Sequence, residues 1–198
     1  MKSKIIPLLC GAALAAAAAP AFAATSHVDP SLTFISGFSK VFDFYKDSPM
    51  AGDHGSNIPV GLSVRGGWIT PSGVRFDLMI GPLALIYGDF DYHDVPLGAS
   101  VAYAFNDGGK VNPYVRVGGV HHFVGGDFVV DNSANGFLGT FGMEFLNRPS
   151  WVKIVVEAGY DTSKIKLCEP VDVCVREEDV HPSGFLLSAG ASFRFGRK

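Results

Sequence analysis

From Ile58 onward, most of this chain alternates apolar and polar residues with the period of a β-strand whose two faces meet different surroundings. Over residues 58–68, Ile58, Val60, Leu62, Val64 and Trp68 share one face, and Gly61, Ser63, Arg65 and Gly67 share the other. Val74, Phe76, Leu78 and Ile80 oppose Arg75, Asp77, Met79 and Gly81. Val95, Leu97, Ala99, Val101, Tyr103 and Phe105 oppose Gly98, Ser100, Ala102 and Ala104. A fourth run sets Val115 and Val117 against Tyr114, Arg116 and Gly118, with His121 interrupting its apolar face. Three more follow at 136–145, 152–161 and 185–195. The first run, around Leu32 to Phe44, is the least regular. Phe34, Phe38, Phe42 and Phe44 share their face with Lys40, which suggests a bulge near Ser36-Gly37. Together these runs predict eight strands.

Loop lengths sort by end. Counted from the first strand, the odd connections are long: Lys46–Asn57, Gly88–Asp94, Gly125–Asn135 and Thr162–Ser183. The even ones are short: Thr70–Gly73, Asn106–Lys110 and Asn147–Ser150. Outer-membrane barrels carry long extracellular loops at one end and short periplasmic turns at the other. A soluble meander has no reason to do so.

Composition separates these two options only with help from the pattern. Aromatics make up 12% of the 198 residues, and no stretch after the N-terminus approaches the roughly 20 apolar residues of a membrane-spanning helix. With the termini on the periplasmic side, the rings fall at two levels. Trp68, Phe76, Tyr103, Phe105, Phe145, Trp151, Phe193 and Phe195 lie near one rim; Phe44, Tyr87, Phe123, Phe137, Tyr160 and Phe185 lie near the other. Two aromatic girdles around an aliphatic band form the lipid-facing pattern of a transmembrane barrel.

The inward face carries Arg65, Arg75, Arg116, Lys153 and Arg194 against Asp77, Glu144, Glu157 and Asp161. An eight-stranded barrel is only wide enough for its side chains to fill, and a lone charge inside it is costly, so opposite signs must pair. A four-residue turn at Asn147–Ser150 predicts Glu144 opposite Lys153, and a turn centred on Pro71 predicts Arg65 opposite Asp77. These nine residues read as a structural network rather than a conduction path or an active site. His121 and His122 point to opposite faces and cannot chelate a metal together, and no motif calls for a cofactor.

The N-terminus reads as a secretory signal over 1–23, with Lys2 and Lys4, an apolar stretch from Ile5 to Ala19, and Ala21-Phe22-Ala23 as a cleavage site. Pro7-Leu8-Leu9 before Cys10 is a poor lipidation motif. Removing this segment takes two lysines and no acids, moving the formal charge from −3 to −5, which argues against a nucleic-acid partner. The mature part, 24–198, is one domain, and it retains two cysteines, Cys168 and Cys174. Both lie in the longest exposed loop in an oxidising compartment, so a disulfide is expected between them.

Two resemblances add to this reading. Ser188, Gly190, Phe193 and Phe195 in SAGASFRF resemble the terminal recognition signal of bacterial outer-membrane proteins, although Gly196-Arg197-Lys198 trail behind the last aromatic. VNPYVRVGG, GFLGTFGMEF and VKIVVEAGYD, in that order, resemble the OmpA/OmpX-type small outer-membrane barrels. That resemblance implies an envelope-anchoring or loop-displaying role and no catalytic residues. A weaker resemblance is to lipid A deacylases of the PagL type. These carry His-x-Ser-Asn on the seventh strand, where this chain reads GYDTSKIKL; His181-Pro182-Ser183 has the spacing but lies before the eighth strand.

The sequence thus predicts an all-β, eight-stranded antiparallel transmembrane β-barrel in the bacterial outer membrane, non-enzymatic, with a structural or surface-interaction role. Its expected partners are outer-membrane lipid and lipopolysaccharide, the outer-membrane assembly machinery, and an extracellular loop ligand of undefined identity. A lipid A-modifying enzyme and a narrow pore are the alternatives.

Overall fold

A computed structural model describes residues 25–47, 59–86, 91–105, 109–146, 151–169 and 174–196. The secretory segment, Tyr87, the Asn147–Ser150 turn and most of Lys46–Asn57 lie outside the described residues. The elements are β1 (Thr25–Ile35), α1 (Ser36–Lys46), β2 (Val60–Ile69), β3 (Val74–Ile80), β4 (Ala84–Ile86), β5 (Tyr92–Ala104), β6 (Val111–Gly126), β7 (Ser133–Leu146), β8 (Val152–Asp161), β9 (Ile165–Glu169), β10 (Arg176–Val180) and β11 (Phe185–Phe195).

Every pairing is antiparallel, and the order runs β3-β2-β1-β11-β8-β7-β6-β5, with β3 returning to pair with β5. That return closes an eight-stranded barrel. Closure pairs the backbone groups between neighbouring strands, the condition for crossing lipid with strands. The short β4 extends the third stave beyond a break at Gly81-Pro82 and pairs with β5. A separate hairpin, β9–β10, stands in the last long connection.

The alternation has the expected sense. Leu62, Leu78, Val101, Val117, Phe141 and Leu187 are exposed on the outer wall, as are the rings of Trp68, Phe76, Tyr103, Phe105, Trp151 and Phe195 at the short-turn end. Phe123, Phe137, Tyr160 and Phe185 ring the other end. An exterior this apolar is stable facing hydrocarbon and not facing water.

Four local expectations need correction. The first strand starts at Thr25 and ends at Ile35, not at Leu32 and Phe44. Pro30 lacks an amide for the ladder, and the β1–β11 pairing skips Asp29 and Pro30 while β2 still pairs with both. Second, residues 36–46 are helical. Gly37, Phe38, Val41, Phe44 and Tyr45 form one buried face at helical spacing, and Lys46 in the last turn suits the negative end of the helix dipole. Phe44 is therefore buried under the loops rather than placed in a girdle.

The third correction is a register. Gly73 takes a left-handed backbone (φ 83°) after Pro71-Ser72, with Thr70 N–H donating to the Val74 carbonyl. This is a hairpin turn closed by a bulge, and it moves the pairing by two residues: Arg65 faces Met79, and Asp77 faces Gly67. In the fourth, Lys153 stands opposite Leu146, and Glu144 opposite Val155. A shift of two keeps every side chain on its face while changing its neighbour.

Candidate functional site

The inward side chains stack in layers along the lumen. At the short-turn end Glu144 is the hub. It accepts Arg75 through both oxygens (2.6 and 2.8 Å), Arg194 at 2.6 Å, Asn112 at 3.0 Å and Lys153 at 3.4 Å. The Tyr114 ring lies between two guanidiniums, 4.9 Å from Arg75 and 5.1 Å from Arg116. Such cation–π contacts strengthen where water is excluded. Gly142 makes this possible, because a Cβ there would strike the Tyr114 ring.

In the middle layer Arg116 bridges two acids, donating to Asp77 (3.0 Å from Nε) and pairing with Glu157. Arg65 reaches across the barrel to Glu157 at 2.7 Å. Asp77 also meets His27 Nε2 at 2.9 Å, and Asp29 lies 3.5 Å from the same nitrogen. Above this layer, hydroxyls run from strand to strand: Ser31 to Ser63 (2.7 Å), Ser63 to Thr33 (3.1 Å) and Thr33 to Ser188 (2.8 Å). Ser63, Thr33 and Ser188 border a cavity lined also by Arg65, Thr140 and Glu157.

The upper layer is built on His122. Its Nδ1 sits 2.9 Å from Asp94 and its Nε2 2.8 Å from Asp161, all three side chains being buried. Asp161 in turn accepts the Ser163 amide (2.9 Å) and hydroxyl (2.7 Å). His121 points outward beside Phe123 and bonds Asn135 at 2.8 Å.

A cap closes the long-loop end. Helix α1 lays Phe38, Val41, Phe44 and Tyr45 into one apolar cluster with Tyr92, Phe128, Leu138, Ile165, Leu167 and Val180. The last three hydrophobic residues of that cluster come from the β9 strand and from β10, so hairpin and helix share a core. Arg176 stacks over Phe44 at 4.4 Å and ties β10 to the helix. Burial, with Asp127 and Asp91 nearby, holds the Tyr45 phenol above the ordinary tyrosine range, and its hydroxyl donates to the Asp127 carbonyl. Cys168 and Cys174 are joined as a disulfide across the hairpin. On its outer face Lys166 pairs with Glu177 at 2.6 Å, which raises the Lys166 ammonium above its ordinary value.

The barrel brings together the charged residues read from the sequence, keeping the pair Glu144–Lys153 and replacing the pair Arg65–Asp77. Arg65 bonds Glu157 rather than Asp77, and Lys153 reaches Glu144 diagonally, as the weakest of that carboxylate's partners. Asp161 belongs with His122. His121 and His122 do face opposite ways, with His122 inside, but three inward residues were missed: His27, Asp29 and Asp94. Asp94 lies before the expected start of its strand at Val95, and His27 and Asp29 lie before the expected start of the first strand at Leu32. Near the C-terminus Ser188 and Gly190 face the lumen, while Phe193 and Phe195 face outward.

Among the described residues, six carboxylates and five Lys or Arg side chains, with two histidines, occupy the interior. Burying so many ions is tolerable because most of them meet a counter-charge within hydrogen-bonding range. A closed eight-stranded antiparallel barrel with an apolar exterior and a paired, filled lumen has the architecture of the small outer-membrane β-barrels. Solved structures agree on the fold. Neisserial surface protein A superposes with a TM-score of 0.51 at 17% identity, covering 87% of this chain and 97% of its own. Pseudomonas aeruginosa OprG gives 0.56 at 11% identity, covering 89% and 97%. Escherichia coli outer membrane protein W gives 0.51 at 16% identity, covering 88% and 98%. No protein-family model matches the sequence, and no curated protein matches it.

Proposed function

We propose that this is an exported bacterial outer-membrane protein with a non-enzymatic role, structural in the envelope or in surface interaction, exerted through its long-loop end. The observation that carries the reading is the occupancy of the lumen: ion pairs fill it from Glu144 to His122, and the α1–hairpin cap covers what lies above. A barrel built this way holds its charge inside and offers its cap outside. The cap is shaped for display, since a disulfide and a shared apolar core fix a hairpin whose outer face carries Glu177 and Asp179.

In this reading residues 1–23 direct export, and the long loops face the cell exterior. Ser188, Gly190, Phe193 and Phe195 present the last strand to the assembly machinery. The apolar wall contacts lipid and lipopolysaccharide, while the cap meets an external partner. Lipid A mass spectrometry with and without the protein tests the non-enzymatic half: identical acyl patterns are expected, and a protein-dependent gain or loss of an acyl chain overturns it. Replacing residues 165–180 with a flexible linker tests the other half. Insertion should survive and surface contact should be lost; unchanged contact would overturn the role of the cap.

A further inference from the structure

The hairpin is fastened to the lumen at both feet. Ser163 precedes β9 and donates its amide and hydroxyl to Asp161, at 2.9 and 2.7 Å. His181 follows β10 and meets the Ser163 carbonyl through Nδ1 at 2.8 Å, tying one foot to the other. The second foot also receives the start of α1: Gly37 N–H donates to the Ser183 carbonyl at 2.9 Å, and Phe185 N–H donates to the Ser36 hydroxyl at 2.8 Å. A Cβ on Gly37 would strike the His181 carbonyl, so helix and foot sit in direct contact.

The first foot ends on the Asp161 carboxylate, the second foot is tied to the first through the Ser163 carbonyl, and the Asp161 N–H donates to the Gly184 carbonyl at 2.9 Å beside it; on the lumen side the same carboxylate meets His122. Each ring nitrogen of His122 faces a carboxylate, Asp94 on one side and Asp161 on the other. Ionised carboxylates only accept hydrogen bonds, and a neutral imidazole has a single N–H to give. Both contacts are therefore made by an imidazolium. Without its second proton, the ring would leave two carboxylates, buried on opposite sides of it, sharing one donor.

We propose that His122 is a proton-operated latch: its imidazolium holds Asp161 in the position that anchors both feet of the β9–β10 hairpin and the start of α1, and loss of that proton frees the cap. This goes beyond any role of the cap in surface contact and stands whether or not such a partner exists. The groups that face the latch are few. From β5 come Asp94, with Tyr92 and His93 before it; from β8 comes Asp161; β7 places uncharged Ala134 opposite His122. Helix α1 contributes Tyr45, which packs on Tyr92 with ring centroids 5.9 Å apart. The sign follows from the donor count. The cap is held while His122 is charged and both acids are ionised, and it is released as pH rises past the point where the ring loses a proton.

Nuclear magnetic resonance of the mature chain refolded in micelles tests this with two readouts. The ¹⁵N shifts of the His122 ring report its protonation, and amide exchange corrected for intrinsic rate reports the Ser163 and Gly37 hydrogen bonds. Near neutral pH both ring nitrogens should carry protons. On raising the pH, protection at Ser163 and Gly37 should fall at least tenfold with the same midpoint as the ring. Ser163→Ala should leave the ring titration in place while the change in Gly37 protection that follows it shrinks, since one of the two bonds from Ser163 to Asp161 is lost. His122→Gln, where it inserts, should leave the Gly37 amide unprotected at every pH; where it does not insert, Ser163→Ala carries the test alone. A ring already neutral at neutral pH, or one that titrates while both amides stay protected, overturns the latch.

Discussion

The Arg75 guanidinium meets the Glu144 carboxylate fork to fork, with two hydrogen bonds of 2.6 and 2.8 Å between side chains that are each 1% exposed. Planar, bidentate and dry, it is the strongest kind of ion pair a side chain can form. Lys153 reaches the same carboxylate at 3.4 Å with a single ammonium. Glu144→Gln should therefore destabilise the refolded barrel by about 3–5 kcal/mol, because three cations lose their common partner. Lys153→Met should cost far less. Double-mutant cycles on refolding in lipid check the ranking: coupling of Glu144 to Arg75 should exceed coupling to Lys153. Equal couplings would mean that geometry does not set the strength of this layer.

Tyr114 depends on the empty space at Gly142. Gly142→Val should push the ring out from between Arg75 and Arg116 and lower stability by about 1–3 kcal/mol, as overpacking does. Tyr114→Phe should keep the contact with the two guanidiniums, which is through the ring, and lose only the hydroxyl's hydrogen bond to Glu157. Denaturant midpoints of the two variants provide the comparison, and a larger loss for Tyr114→Phe would contradict it.

Much of this architecture is legible in the sequence because a barrel in lipid writes its period into every strand. Leu62, Leu78 and Val117 face out and Arg65, Asp77 and Arg116 face in, and the pattern alone places them. Partners are harder to read than faces. A single bulge at Gly73 slides Asp77 from Arg65 to Gly67 without disturbing the alternation, so hydrophobicity carries no record of it. Residues 36–46 were misread because Phe34, Phe38 and Phe42 are spaced by four, which both a strand and a helix place on one side. Val41 and Tyr45 break the tie: with Phe38 and Phe44 they share a helix face, which a strand would divide. His122 gave no signal of its role, since Asp94 and Asp161 reach it from strands distant in sequence.

The disulfide closes a loop of sequence separation 6. Constraint of so short a loop contributes about 2 kcal/mol in the chain-entropy account, and it acts on the hairpin rather than on the barrel. Alkylation without reduction should leave Cys168 and Cys174 unlabelled. The Cys168→Ser/Cys174→Ser variant should insert normally yet lose protease resistance within residues 164–180. Labelling of both sulfurs before reduction would contradict the bond.

Phe44 is 1% exposed, packs edge-on against Phe128 at 6.1 Å, and carries Arg176 on its face. Phe44→Ala should remove about 3–5 kcal/mol from the cap core. That core lies at the opposite end from the Glu144 layer, so the loss should appear as faster amide exchange in α1 and β9–β10, with the short-turn ends of β5–β8 unaffected. Uniformly faster exchange through the barrel would show that cap and barrel unfold as one unit.

The exterior requires lipid. The mature chain should fractionate with outer membranes and should migrate differently on gels before and after boiling, because the closed barrel resists unfolding by detergent. Recovery as a soluble periplasmic monomer would contradict the transmembrane fold.

Planar-bilayer recording of the wild-type barrel tests the central claim most directly, because among the described residues ion pairs fill the lumen from Glu144 to His122 and α1 and the hairpin cap it. The account predicts inserted protein, verified by its gel shift, with no steady current at neutral pH. A sustained ohmic current from the wild type would contradict it and make the barrel a pore.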